Sequence, residues 1–338
     1  MIGAPSGTRP AWELRLGATI PRVSPRVSVI IPAHNAAATL GRTLRALAYQ
    51  DIEEPFEVIV VDDASADETA AVAAQAAVEP RVVRHDRPLG PGPTRNTGAE
   101  EAAGEFLAFT DADCFPTQSW LREGVAALEG ADLVQGAVRP DPDAEPQPFD
   151  RTVWVVAEVG LYETANLFVR RELFERLGGF EDWLSARIGK PLAEDVWLGW
   201  RARRAGARTS FAPQALVHHA VFRRGALEAA RERLRTTYFP DIVEKVPELR
   251  ETLLWRRWFL SRRSAEFDLA AAGALVALLA RSPLPLVAAL PYARSLTNSA
   301  RRWGRRRAPR VALGELLGDA VAAGALIAGS VRRRTPVL

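Results

Sequence analysis

From Arg26 onward, short β-branched runs alternate with stretches of helical period. RVSVIIP (26–32) and FEVIVVDD (56–63) are apolar almost throughout, the pattern of strands buried on both faces. Between them, residues 36–49 repeat leucine at Leu40, Leu44 and Leu47, which predicts a helix with one apolar face. Ser65-x-x-Glu68 reads as a capping box opening an alanine-rich helix. RVVRH (81–85) predicts a third strand, residues 94–103 a helix, EFLAFTD (105–111) a fourth strand and DLVQGAV (132–138) another. Strands spaced by roughly 25 residues and joined by helical crossovers imply a parallel sheet with helices on both faces.

The Pro/Asp-rich segment DPDAEPQPFD (141–150) interrupts this alternation as a surface loop, and helices are expected over 170–177 and 193–205. Beyond Phe222 the pattern changes. Residues 226–263 read as basic helices, 269–293 are apolar except for Arg281, and RRWGRRRAPR (301–310) precedes a second apolar stretch, 311–331. Neither stretch offers the ~20 uninterrupted apolar residues that span a bilayer: Arg281 and three prolines break the first, and Glu315 and Asp319 break the second. The expectation is therefore of shallow interfacial helices whose arginines meet anionic lipid, in preference to a soluble helical cap.

Charge sharpens this division. Residues 1–219 hold 22 Arg/Lys and 31 Asp/Glu, net −9, whereas residues 220–338 hold 22 and 10, net +12. The acidic body argues against nucleic acid as a partner, and the basic, apolar tail points to an anionic membrane surface. The single cysteine, Cys114, excludes an internal disulfide framework and a cysteine-based zinc site. Residues 1–24 carry Arg9, Arg15 and Arg22, but the segment from Trp12 to Ile20 is too polar for a signal peptide, so a cytoplasmic location is expected.

The candidate chemistry collects at the ends of the strands. In TDADC (110–114), an extended chain points Asp111 and Asp113 the same way, and two adjacent carboxylates are relieved by a cation that also grips a diphosphate. His34 and Asn35 follow the first strand, and Asp62 and Asp63 follow the second. Ligands bind at this edge of open parallel sheets. Each of these residues has a purely structural alternative: Asn35 as a helix cap, one of Asp62 and Asp63 as a turn residue, and Arg95 as the partner of a local acid such as Asp111. GPGPTRNTG (90–98) begins like a dinucleotide fingerprint, but Arg95 stands where the third glycine is needed. An aspartyl-nucleophile phosphatase would place D-x-D near the start of its domain, whereas three β-α units precede it here, and Phe115 stands where Thr or Val is expected.

SVIIPAHNAAATL (28–40), EVIVVDDASADET (57–69), TRNTGAEEAAGEFLAFTDADC (94–114), RRELFERLGGFED (170–182) and LAEDVWLGWRARRAG (192–206) together resemble family 2 glycosyltransferases of the GT-A fold. The resemblance covers about residues 25–220 in order. It implies a Rossmann-like, mostly parallel α/β sheet flanked by helices, in which Pro32, His34 and Asn35 wall a nucleobase and Asp63 bonds it. Arg95 suits the pyrophosphate, and Asp111 approaches the ribose or the metal. Asp113, with His219 as a further ligand, holds Mn2+ or Mg2+. Asp195 resembles the catalytic base and Glu194 an auxiliary carboxylate, although both also suit the first turn of a helix. No Q-x-x-R-W motif follows His219, as processive synthases would have: Trp255–Trp258 lacks the glutamine.

The expected organisation is an extension (1–24), a GT-A domain (25–225), a basic connector (226–268) and membrane-associated helices (269–338). The expected function is inverting, metal-dependent transfer of a sugar from a nucleoside diphosphate to an acceptor hydroxyl. The setting is lipid-linked or cell-envelope glycan synthesis at the inner face of the plasma membrane. The alternatives are a catalytically silent nucleotide-binding scaffold and a GT-A-like nucleotidyltransferase, the latter without the glycine-rich, lysine-bearing loop that holds a triphosphate.

Overall fold

The computed structural model describes residues 24–184 and 192–338. All but one residue of the N-terminal extension, including Arg9, Arg15 and Arg22, and residues 185–191 lie outside the described residues. Strands β1 (Val27–Ala33), β2 (Phe56–Asp62), β3 (Arg81–Arg84) and β4 (Phe106–Thr110) form the expected parallel unit, in the order β3-β2-β1-β4. Helices α1 (Ala37–Ala48), α2 (Thr69–Ala74) and α3 (Pro91–Glu100) cross between them. Alternate residues of one strand serve opposite faces: Val29, Ile31, Val58 and Val60 join the core under α1, while Ile30, Ile59 and Val61 join the core on the other side.

The sheet then ceases to be parallel. β5 (Cys114–Pro116), α4 (Trp120–Glu129), β6 (Leu133–Pro140), β7 (Asn166–Arg170), α5 (Arg171–Arg176), α6 (Glu194–Arg204) and β8 (Thr209–His219) follow. The full order is β3-β2-β1-β4-β7-β6-β8-β5, with β7 antiparallel to both neighbours and β5 antiparallel to β8. Asn166 pins this half. It accepts from Trp120 Nε1 (2.8 Å) and donates to the carbonyls of Ala137 (2.8 Å) and Ala215 (2.7 Å), where the β6–β8 register shifts. Gly136 admits it, since a Cβ there would collide with the Asn166 amide.

Two local expectations are corrected. The box at Ser65–Glu68 does not form, because Ser65 is drawn away: its hydroxyl accepts from the Asn35 amide and its amide donates to Asp62. Asp67 instead accepts from the Thr69 amide, and α2 starts at Thr69. Helix α3 starts three residues before the expected Thr94, at Pro91, whose missing N–H costs nothing in a first turn.

The tail contains α7 (Ala226–Glu232), a 3-10 segment (Arg233–Tyr238), α8 (Phe239–Lys245), α9 (Leu249–Thr252) and α10 (Arg262–Ala280). A second 3-10 segment (Leu284–Ala289), α11 (Leu290–Arg301) and α12 (Ala308–Arg333) complete it. Leu326 of α12 and Val337 belong to the same core as Ile30 and Phe109. Gly329 allows the close approach: a Cβ there would strike the Thr237 carbonyl. Several tail charges are matched internally. Asp241 accepts from Arg332 (2.7 Å) and Arg333 (2.5 Å), and Asp319 from Arg233, Arg263 and Tyr292. Among the described residues, α12 alone is long and apolar enough to cross a membrane by length and composition, and the two acids that interrupt it are held by Arg263.

Candidate functional site

At the carboxyl ends of β1, β2 and β4 lies a cavity of about 690 Å³. Pro32, His34, Asn35 and Asp63 line one side, and Arg95, Asp111 and Asp113 the other, so seven residues singled out in the sequence share one space. His219 stands behind Asp113, and Glu194 behind Arg95. Asp195, next to Glu194, does not line this cavity.

The β1 side is a set of loop-to-loop bonds. His34 Nδ1 donates to the Asp63 carbonyl (2.7 Å), which leaves Nε2 to accept from the Asn35 amide (3.0 Å). Asn35 adopts left-handed backbone (φ 50°), and its Oδ1 accepts from the Ala66 amide (2.9 Å). It therefore ties the β1 loop to the β2 loop and does not cap α1, which has no side-chain cap. Asp62 serves the turn, accepting from the Ser65 amide (2.9 Å) and Arg84 (2.8 Å). Asp63 accepts from His85 and from the amides of Leu89 and Gly90, at 2.8–2.9 Å. Burial alone would raise the Asp63 pKa, but these three donors outweigh it and hold the carboxyl below its ordinary value.

The D-A-D segment is not extended, as the strand argument assumes. β4 ends at Thr110, and residues 111–113 turn, with the Cys114 amide donating to the Asp111 carbonyl (3.1 Å). The turn, and not strand alternation, brings both carboxylates to the cavity. The Arg95 side chain is buried and forks between Asp111 (2.7 Å) and Glu194 (3.2 Å), so it makes the local ion pair that the sequence offered as an alternative. Its Nε is buried without a partner among the described residues.

His219 and His218 diverge because they are neighbours on a strand. His219 pairs with Cys114 across β8–β5 and turns toward Asp113, whereas His218 Nδ1 donates to the Pro140 carbonyl (3.2 Å). The His219 Nδ1 lies 2.6 Å from the Ala220 carbonyl, which assigns the proton to that nitrogen. Nε2 then stands 3.6 Å from the Asp113 carboxylate. Burial, opposed by His219 and reinforced by Asp111, holds the Asp113 carboxyl above its ordinary value. An imidazole nitrogen and a carboxylate facing one another at the edge of the cavity fit a divalent cation with oxygen and imidazole ligands. The Cys114 sulfur falls in the same group, within 4.8 Å, but burial pushes its thiol well up and keeps it protonated.

Asp195 is half-buried at the start of α6, and Oδ1 accepts from the Val196 amide (2.8 Å). Burial first, and Glu194 next, push its carboxyl well above the ordinary range. Three further residues of the site have no motif to mark them. His85 braces Asp63, while Arg151 and Phe222 line the cavity through an isolated backbone bridge between segments far apart in sequence.

Comparison with known proteins places this geometry. Residues 28–180 match the family model described as glycosyl transferase family 2. Glycosyltransferase AglE of Haloferax volcanii is 33% identical over 209 residues, covering 58% of this chain and 67% of that protein. The pre-mycofactocin glycosyltransferase of Mycobacterium tuberculosis is 30% identical over 212 residues, 57% of this chain but only 42% of the relative. Among solved structures, the mannosyltransferase PcManGT from Pyrobaculum calidifontis, in complex with GDP-Man and Mn2+, shares the fold with a TM-score of 0.54 at 22% identity. The match covers 93% of this chain and 88% of that one.

Proposed function

The chain belongs to glycosyl transferase family 2, a family of glycosyl-transferring enzymes of the GT-A fold, and from that premise we propose an inverting, divalent-cation-dependent transfer of a sugar from a nucleoside diphosphate to an acceptor hydroxyl. The setting we propose is lipid-linked or cell-envelope glycan synthesis at the inner face of the plasma membrane. One arrangement carries the reading: Asp111, Asp113 and Arg95 face the β1 and β2 loops across a single cavity, and Arg95 continues to Glu194, the neighbour of Asp195.

In this reading Pro32, His34, Asn35 and Asp63 receive the nucleoside. Asp113 and His219, with Asp111 beside them, would hold Mn2+ or Mg2+, which would neutralise charge on the departing diphosphate. Asp195 takes the proton of the acceptor hydroxyl, for which a raised pKa suits it. The acceptor oxygen bonds the anomeric carbon from the face opposite the diphosphate. The bond to the phosphate oxygen breaks, its electron pair leaves with the nucleoside diphosphate, and the single displacement inverts the centre. Arg95 fixes Glu194 and Asp111 relative to one another, linking the turn to α6.

For the tail we propose contact with an anionic membrane. Leu278, Leu279, Leu284, Val287 and Leu290 are 63–79% exposed. Arg301, Arg302, Arg305 and Arg306 follow and have no carboxylate partner among the described residues.

The direct test of the transferase reading is release of nucleoside diphosphate from a panel of UDP- and GDP-sugars with Mn2+. Cation-dependent release that disappears in Asp113→Ala is expected. Undiminished turnover in EDTA would overturn the cation assignment.

A further inference from the structure

A second and larger cavity, about 1090 Å³, adjoins the first, and Arg151 and Phe222 line both. Its walls differ in kind. On one side stand Arg223, Arg224, Arg231 and Arg235 of the segment after β8; on the other, α12 offers Ala320, Gly324, Ala325 and Ala328. Five arginines against Glu228 and Glu232 give the lining a net positive charge. Part of that charge is matched: Arg223 pairs with Asp150, and Arg224 with Glu232. The Arg151 guanidinium rests on the Phe222 ring, 4.9 Å from its centroid, and Arg231 has no carboxylate partner among the described residues. Guanidinium groups left open beside a smooth apolar wall complement an anionic head joined to a hydrocarbon chain.

We infer that this second cavity is the acceptor site, and that the acceptor is an amphiphile whose phosphate meets Arg151 and Arg231 while its chain lies along the Ala/Gly face of α12. The inference rests on the transferase reading of the adjoining cavity. The shared Arg151–Phe222 boundary puts the polar end of such an acceptor beside the donor cavity; the reacting hydroxyl belongs to that end and must cross that cavity toward Arg95 and Glu194 to reach Asp195, which lines neither space. Gly324 lines the cavity, and a Cβ there meets nothing within 4 Å among the described residues, so a side chain can start from it into open space.

The test is binding to the full-length protein of three probes: dodecyl phosphate below its micellar concentration, inorganic phosphate and dodecyl maltoside. Dodecyl phosphate should bind at least roughly tenfold more tightly than either of the others, since it alone uses both walls. Arg231→Ala and Gly324→Trp should each weaken it by roughly tenfold, with melting temperature and nucleoside diphosphate binding kept. Equal affinity for inorganic phosphate would mean an anion site and overturn the amphiphile. Unaltered dodecyl phosphate binding in both variants would mean capture by the exposed leucines of the tail and overturn the cavity. The two readings separate cleanly: if the expected pattern appears but the wild-type protein binds no nucleoside diphosphate with Mn2+, the transferase reading falls and the amphiphile site stands.

Discussion

Replacing Arg95 by methionine tests the link between the D-A-D turn and α6. The Arg95 side chain is 5% exposed and bridges two carboxylates, of which Glu194 is 11% and Asp111 28% exposed. Methionine fills much of the same volume but leaves Glu194 without its cation and beside Asp195. Removing one partner of a buried pair costs about 3–5 kcal/mol, because the other charge remains desolvated. Most of that cost falls on Glu194; Asp111 can turn to water. For a chain of this size the melting temperature should fall by about 4–7 °C, and urea denaturation at pH 7 gives the free energy directly. Arg95→Lys, which cannot fork, should fall between the two. The decisive comparison is the double variant Arg95→Met/Glu194→Gln, which removes the stranded charge and should recover more than half of the loss. A single variant within about 1 kcal/mol of wild type, or a double variant whose losses simply add, would refute the reasoning.

Three further predictions concern the proposed base and the tail. Asp195→Asn should lower transfer by roughly 10²–10⁴ while nucleoside diphosphate binding persists. A base acts ionised, so kcat/KM should fall as pH drops through the raised Asp195 value; a profile flat from pH 7 down to about pH 4 would remove Asp195 from the role. Changing Leu278, Leu279, Leu284 and Val287 together to serine should leave stability unchanged, because all four are exposed, and should reduce flotation with phosphatidylglycerol vesicles at least roughly tenfold. Undiminished flotation would place the membrane contact elsewhere.

The sequence carried the parallel half of the fold because each of its strands is a dense apolar run and each is followed by its crossover helix. It did not carry β5, β7 and β8. Cys114–Pro116 is too short to show a period, Asn166–Arg170 merges into the α5 pattern, and β8 contains Pro213 within its span. The residues that line the first cavity were legible as types, since carboxylates collecting after successive strands mark the edge where open parallel sheets take ligands. Their contacts were not. The pairing of Cys114 with His219 turns His219 and not His218 toward Asp113, and Ser65 leaves its expected cap because Asn35 lies across from it. Arg151 and Phe222 had no signal, being joined by a bridge across 71 positions of chain. The tail's net charge was legible, but not the fraction spent internally on Asp241 and Asp319.

The Arg151–Phe222 bridge is a party wall: whatever occupies one cavity touches the back of the surface that the other ligand sees. Where two ligands that share a boundary affect one another's affinity, the linkage is reciprocal. If a bound nucleoside diphosphate tightens amphiphile binding by some factor, the amphiphile must tighten the nucleotide by the same factor. Titrating each ligand in the presence of the other therefore measures one quantity twice. A substitution confined to that wall should change this coupling more than it changes either affinity alone.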